Sequence, residues 1–370
     1  MFAQQTCARS RKEPILTIEN KFYSQEVHGP YELFSVGDFE LEMGGKLRDC
    51  KIAYNTFGTL NAAKDNAILF PHMYTGTHKH MEPYVGEGMA LDPTNYFIIL
   101  PGQIGNGLSS SPHNTPAPFN MAAFPNVTIG DDVRAQHKLV KEHFGIDALQ
   151  LVVGWSMGAQ QTYEWAVRYP DMVKRAAPIA GTAKGYPHNL LFNENLAAAM
   201  KMDPAWNNGW YTDPHAVHVG LRRQARIMAL HATCPEFYYQ EAWRRAGFSS
   251  LEDFLVGLLE GYFLPMDPND LLCQLWKWHH ADVSRHTNGD LTQALARIKA
   301  KTFVMPFQED MFFPVNDCER EQKLIPNSEF RPIPSLWGHF TMFGIFEEDK
   351  KAIDNVLKEL LAVPINVARS

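Results

Sequence analysis

From residue 26 to about 183, short apolar runs alternate with stretches whose apolar residues recur at helical spacing. YELFSVGDFELEMGG (31–45) and LRDCKIAYNTFG (47–58) read as two β segments meeting at a Gly44-Gly45 hairpin signal. NAILFPHMY (66–74) and NYFIILPGQ (95–103) are buried strands, each running into a turn-rich loop, TGTHKH and NGLSSSPHNTPAP. TIGDDVRAQHKLVKEHFG (128–145) predicts a helix, with Val133, His137, Val140 and Phe144 on one face and Asp131 and Asp132 near its N-terminus. LQLVVGW (149–155) is a strand, AQQTYEWAVRYP (159–170) a helix, and MVKRAAPIAGTA (172–183) the next strand. Strands of this kind separated by helices imply a mostly parallel sheet covered on both faces.

Between 184 and 297 the pattern changes. The segment is helix-like, rich in aromatics such as Trp206, Trp210, Trp243, Trp276 and Trp278, and carries no convincing strand. The α/β rhythm returns with KTFVMPFQ (301–308) and SEFRPIPS (328–335) and ends in a helix around EEDKKAIDNVLKELLAV (347–363). The expected organisation is a loosely ordered leader at 1–25, a core built from 26–183 and 298–370, and a helical lid at 184–297 placed over the strand ends.

Composition narrows the class. The 370 residues are 45% apolar, with a net charge of −7 and a pI near 6.1, which gives no electrostatic footprint for nucleic acid or an anionic membrane. Five scattered cysteines with no C-x-x-C pair favour free thiols over a disulfide framework. MFAQQTCARSRKEP at the N-terminus has no apolar stretch behind it, so neither a signal peptide nor an anchor is expected, and the expected setting is cytoplasmic.

The candidate chemistry centres on Gly154-Trp155-Ser156-Met157-Gly158, between a strand and a helix. That is the layout of a nucleophile elbow, in which a serine sits on a sharp strand-to-helix turn and glycines on either side admit neighbouring backbone. A serine hydroxyl needs a base and a carboxylate that orients it. In the order Ser, acid, His, the next two strands after the insertion end at Asp310, in QEDMFFP, and His339, in LWGHF. Glu309 is the rival acid. An oxyanion hole would use the backbone N–H of Met157 and one from the loop after AILF, with Tyr74 the candidate donor.

HMYTG (72–76), FPNVTIGDDVRAQHKLV (124–140), GWSMGAQQTYEWAVRYPDMV (154–173), DPAWNNGWY (203–211), GLRRQAR (220–226) and DMFFP (310–314) together resemble the homoserine O-acetyltransferase group of the α/β-hydrolase superfamily. The resemblance runs from about residue 35 to the C-terminus. It implies an α/β-hydrolase fold with an inserted helical lid, favours Asp310 over Glu309 as the acid, and implies a homodimer formed through the lid. It also implies acetyl-CoA as co-substrate if the acyl group passes to an alcohol; no bound cofactor is expected. The departures bear on the acceptor. Trp155 and Ala159 replace glycines of the family's elbow, and Phe340 replaces the aspartate that holds the amino group of homoserine. A lid arginine for the carboxylate would fall near Ala197. Zwitterion ends left desolvated and unpaired cost several kcal/mol, so homoserine is not the expected acceptor. Trp155, Phe340 and Arg226 are the substrate-pocket candidates.

Three readings follow. The first is a serine acyl-enzyme catalyst hydrolysing a small-molecule ester. The second is an O-acyltransferase using the same residues. The third is a non-catalytic binding protein on the same scaffold. No metal is expected, since neither His72, His78 and His80 nor His279, His280 and His286 have ligand spacing. GQIGNG (102–107) opens into a Ser/Pro loop rather than a helix, so no dinucleotide site is expected either.

Overall fold

The computed structural model describes residues 18–365. Its strands are β1 (Glu32–Glu40), β2 (Lys46–Phe57), β3 (Ala67–Leu69), β4 (Phe97–Pro101), β5 (Leu151–Trp155), β6 (Arg175–Ile179), β7 (Lys301–Val304) and β8 (Ser328–Phe330). They form one eight-stranded sheet in the order β1-β2-β4-β3-β5-β6-β7-β8. β1 and β2 are the antiparallel hairpin, turning through Gly44 and Gly45, both at positive φ. β2 meets β4 antiparallel, and from β4 to β8 every pairing is parallel. Every residue of β3, β4, β5 and β6 is buried, as a sheet covered on both faces requires.

The larger helices are α1 (Ile129–Lys138), α2 (Met157–Arg168), α3 (Pro187–Lys201), α4 (His218–Ala232), α5 (Pro268–His279), α6 (Val315–Gln322) and α7 (Glu347–Ala362). The period of two along each strand divides the core. Val152 faces Val133 of α1 and Trp165 of α2, whereas Leu151, Val153 and Trp155 face Ile353, Leu357 and Leu360 of α7. α1 starts with a capping box, Thr128 and Asp131 each satisfying the other's backbone N–H. The chain leaves β3 for β4 on one side and enters β5 on the other, so the order reverses at β3. The carboxyl ends of β3 and β5 therefore border a natural crevice.

Between β6 and β7 the described structure is helical from Pro187 to Leu295. This insertion is not an independent globule: Leu196, Leu221, Met228 and Trp278 belong to the same apolar cluster as Ile99 and Val152 of the sheet. The expected leader needs correction where it can be seen. Residues 1–17 lie outside the described residues, but the chain is packed well before residue 26. Buried Asn20 donates from Nδ2 to the Pro265 carbonyl (3.1 Å), and the Tyr23 hydroxyl accepts from Asp267 N (3.0 Å). Polar groups buried against the insertion must be paired, and these contacts fix residues 20–23.

Candidate active site

Ser156 sits at φ 60°, ψ −120°, a conformation that costs a non-glycine residue free energy and persists only where its surroundings enforce it. The enforcement is visible. The Ser156 N–H donates to Ile179 O (3.0 Å), holding the turn to the end of β6. A Cβ at Gly154 would overlap the Gly158 carbonyl, and one at Gly158 would overlap the Pro71 carbonyl. Ala159 is accommodated because its partner is Gly181, where a Cβ would lie 2.6 Å from that of Ala159. The departure at 159 is thus matched by a small residue across the contact.

The structure brings the expected trio together. His339 Nε2 lies 2.9 Å from Ser156 Oγ, and His339 Nδ1 lies 2.7 Å from Asp310 Oδ2. All three side chains are buried. Asp310 is fixed in turn, its Oδ1 accepting from Phe312 N (2.7 Å) and Phe313 N (3.0 Å). Glu309 is exposed and makes no bond to His339. Gly338, at φ +51°, lets the histidine turn pass between the end of α4 and the acid loop: a Cβ there would lie 2.8 Å from Ala232 O and 2.9 Å from Glu309 O.

The N–H groups of Met157 and Tyr74 donate to no protein acceptor among the described residues. Met157 is the first residue of α2, where the free amides and the helix dipole favour an anion. The pocket candidates land differently. Trp155 is 1% exposed and lies beneath the site, its ring 5.5 Å from that of His339 and edge-on to Phe343. It supports the histidine from the α7 side of the sheet. Phe340 is buried edge-on to Phe343. Arg226 is occupied elsewhere, bonded to Glu260 (2.6 Å) and Glu252 (2.6 Å) within the insertion, so its guanidinium has carboxylate partners already.

Sequence reasoning missed an aromatic enclosure. Phe312 and Phe313 lie 4.5 and 5.7 Å from the His339 ring, and Phe192 of α3 stacks on Phe312 at 4.5 Å. Trp278 of α5 stacks on Phe313 at 5.6 Å and stands 5.8 Å from Tyr74. The available signals were the Phe-Phe pair just after Asp310 and the tryptophans of the insertion, Trp278 among them. The remaining members come from helices whose facing cannot be read without the tertiary fold.

Of the histidines weighed above as metal ligands, His80 approaches Thr77 Oγ1 at 3.3 Å and His280 Nδ1 approaches the Trp276 carbonyl at 2.8 Å. His286 bonds Glu164 (2.8 Å), a buried carboxylate that burial would raise but that His286, Arg285 and Arg168 hold down to about 2. Among the described residues one group has metal-like spacing, His113, Asp267 and Asp270. His113 Nδ1 is already 2.6 Å from Asp270 Oδ2, and Asp267 Oδ1 accepts from Tyr211 (2.6 Å) and from the first amides of α5. These groups tie α5 to the loop after β4. The glycines of GQIGNG serve the same seam: side chains at Gly105 and Gly107 would overlap Cys273 and the Tyr23 ring.

Behind the elbow, the Glu321 carboxylate of α6 accepts from Ala183 N (2.6 Å) in the loop after β6. Burial pushes its pKa up to about 8. A carboxyl raised above its unfolded value of about 4.5 stabilises the fold fully below that pH, and loses this contribution as pH rises through about 8. Glu321→Gln, which mimics the neutral acid, should therefore gain on the wild type between pH 5 and 9. The check is calorimetric melting across that range; a melting-temperature difference that stays constant would refute it.

A family model for the alpha/beta hydrolase fold matches residues 66–344. An ethyl acetate hydrolase from Pseudomonas veronii is 54% identical over 93% of this chain and 99% of its own length. A homoserine O-acetyltransferase from Leptospira biflexa is 32% identical over 87% of this chain and 90% of its own. The crystal structure of an acetylester hydrolase from Corynebacterium glutamicum superposes with a TM-score of 0.92 at 54% identity, covering 94% of this chain and 100% of that one. The chain belongs to the α/β-hydrolase fold family, in an esterase-type branch akin to the homoserine O-acetyltransferases.

Proposed function

We propose that this protein is a serine esterase acting on small uncharged esters, acetate esters foremost. The observation that carries the reading is the buried, unbroken chain Ser156–His339–Asp310, at 2.9 and 2.7 Å. His339 Nε2 takes the proton of Ser156 Oγ as the oxygen bonds to the ester carbonyl carbon. The N–H groups of Tyr74 and Met157 receive the developing oxyanion. Asp310 holds the imidazole in the tautomer that can accept at Nε2 and stabilises the imidazolium. That proton goes to the leaving alcohol as the C–O bond breaks, leaving an acyl-Ser156. A water, deprotonated by the same His339, then hydrolyses the acyl-enzyme.

A small acyl group is supported by the packed rings of Phe192, Phe312 and Trp278, and by the similarity to an ethyl acetate hydrolase and an acetylester hydrolase. Water rather than homoserine as acceptor is supported by Phe340, buried and apolar where the family holds an amine, and by Ala197 in place of a charged lid residue. Acetyl-CoA then has no role. Incubation of p-nitrophenyl acetate with the enzyme, with and without millimolar homoserine or serine, tests this directly. Acetate is the expected product at every alcohol concentration. O-Acetylhomoserine as the main product would overturn the choice of acceptor.

We further propose that residues 184–297 serve as the lid, and that the protein forms a homodimer through its outer face, where Leu191 of α3 and Leu230 of α4 are exposed. Sedimentation should give a dimer that Leu230→Asp converts to monomer; an unchanged monomer in the wild type would refute it. Unpaired thiols at Cys50, Cys234, Cys273 and Cys318 fit a cytoplasmic setting, and no described helix is long and apolar enough to cross a membrane.

A further inference from the structure

The oxyanion role assigned to Tyr74 depends on which way one peptide plane faces. In a trans peptide the C=O and N–H are antiparallel, so the Tyr74 N–H points opposite to the Met73 carbonyl. That carbonyl is held by three donors: His72 Nδ1 (2.9 Å), Gly76 N (3.0 Å) and Gln103 Nε2 (3.3 Å). Gln103 Nε2 also donates to the preceding carbonyl, His72 O, at 2.7 Å. The His72 tautomer is set by Asn106, whose Nδ2 donates to Nε2 (3.1 Å) and leaves Nδ1 to carry the proton toward Met73 O. Burial lowers the His72 pKa to about 3, so the ring is neutral at ordinary pH and keeps this pattern.

Gln103 is itself held from the insertion. Lys277 of α5, with its side chain wholly buried, donates from Nζ to Gln103 Oε1 (3.2 Å), Ile104 O (2.7 Å) and Asp132 Oδ2 (2.7 Å). Asp132, in the first turn of α1 and equally buried, accepts from Ile104 N (2.8 Å) through Oδ1. A buried ion pair is weak evidence for stability, because desolvation offsets much of its attraction. This one has a geometric consequence. It fixes the acceptor end of the Gln103 amide, and so aims the donor end at His72 O and at Met73 O, the carbonyl of the Met73–Tyr74 peptide itself.

From this geometry we infer that Lys277, Gln103 and His72 form a buried relay from the helical insertion to the oxyanion loop, and that they are positioning residues holding the Tyr74 N–H in its productive orientation. The inference rests on the esterase reading above. It extends that reading by making the insertion part of the catalytic framework as well as a cover: a shift of α5 would loosen the Gln103 donor, one of the three on the Met73 carbonyl. All three side chains are fully buried.

The test is Gln103→Leu, which removes the donor to both carbonyls, and the double variant Lys277→Met/Asp132→Asn, which removes both buried charges while keeping an oxygen for Ile104 N. Kinetics with p-nitrophenyl acetate should show kcat lowered by about 30–100-fold with KM within about threefold, the order expected when one oxyanion donor is misdirected. The Ki of an alkylboronic acid, whose adduct with Ser156 needs the oxyanion site, should rise by a similar factor. A purely structural role would instead lower the melting temperature and raise KM, leaving boronate affinity in step with KM. A folded double variant with kcat within threefold of wild type would overturn the relay. The esterase reading is judged separately: if the wild type neither hydrolyses the ester nor binds the boronate, that reading fails before the relay is at issue.

Discussion

Ser156→Ala is expected to reduce ester hydrolysis by about 10⁴-fold or more and to abolish stoichiometric labelling by a fluorophosphonate. The melting temperature should stay within a few degrees, because the turn is held by backbone contacts that alanine retains: the amide bond to Ile179 O and the close approach of Gly154 and Gly158 to their neighbours. Asp310→Asn should lose about 10³–10⁴-fold through the wrong imidazole tautomer. Glu309→Gln should be near wild type, since Glu309 is solvent-exposed. This pair of outcomes separates the two candidate acids. Rate measurement with p-nitrophenyl acetate and mass analysis of the labelled protein check all three variants. A Ser156→Ala protein retaining a tenth of wild-type activity would remove the serine from the mechanism.

The residues of the site were legible because their chemistry is bound to local punctuation. Gly154 and Gly158 bracket a serine between a strand and a helix, and that pattern needs no knowledge of distant parts. Asp310 and His339 were found by asking which polar residues follow the next two strands. What stayed hidden was set by helices packing across large sequence separations. Trp155 looked like a pocket residue because it replaces a glycine of the resembled family's elbow. The period of two along β5, however, places its side chain on the α7 face with Leu151 and Val153. Arg226 looked available because its motif matched, but Glu252 and Glu260 lie in a part of the insertion whose fold no periodicity revealed. Lys277 carries no signal in the sequence that singles it out. Only the tertiary structure places it beside Asp132, more than a hundred positions earlier in the chain. Residues 20–23 read as leader for the same reason: their partners lie in the insertion.

Gly158→Ala should show how closely the elbow and the oxyanion loop are fitted. The added Cβ would overlap the Pro71 carbonyl and sit 3.2 Å from His72 O, both of them backbone atoms at the end of β3. Backbone cannot rotate aside as a side chain can, so relief requires α2 or the Pro71–Tyr74 loop to move. Overpacking of this kind costs about 1–3 kcal/mol, which in a protein of this size lowers the melting temperature by roughly 1–4 °C. The same displacement moves the Tyr74 N–H relative to Ser156, so kcat should fall by about 100-fold, beyond what partial unfolding at assay temperature accounts for. Gly257→Ala is the control. Its Cβ would meet the Phe248 ring edge at 3.4 Å and Asp253 Oδ1 at 3.7 Å, both ordinary contacts, and both rate and melting temperature should hold. The decisive measurement is kcat at a temperature well below both melting transitions. If Gly158→Ala melts like wild type and keeps kcat within threefold, the end of β3 yields freely, and the elbow glycine is not what sets the distance between nucleophile and oxyanion donor.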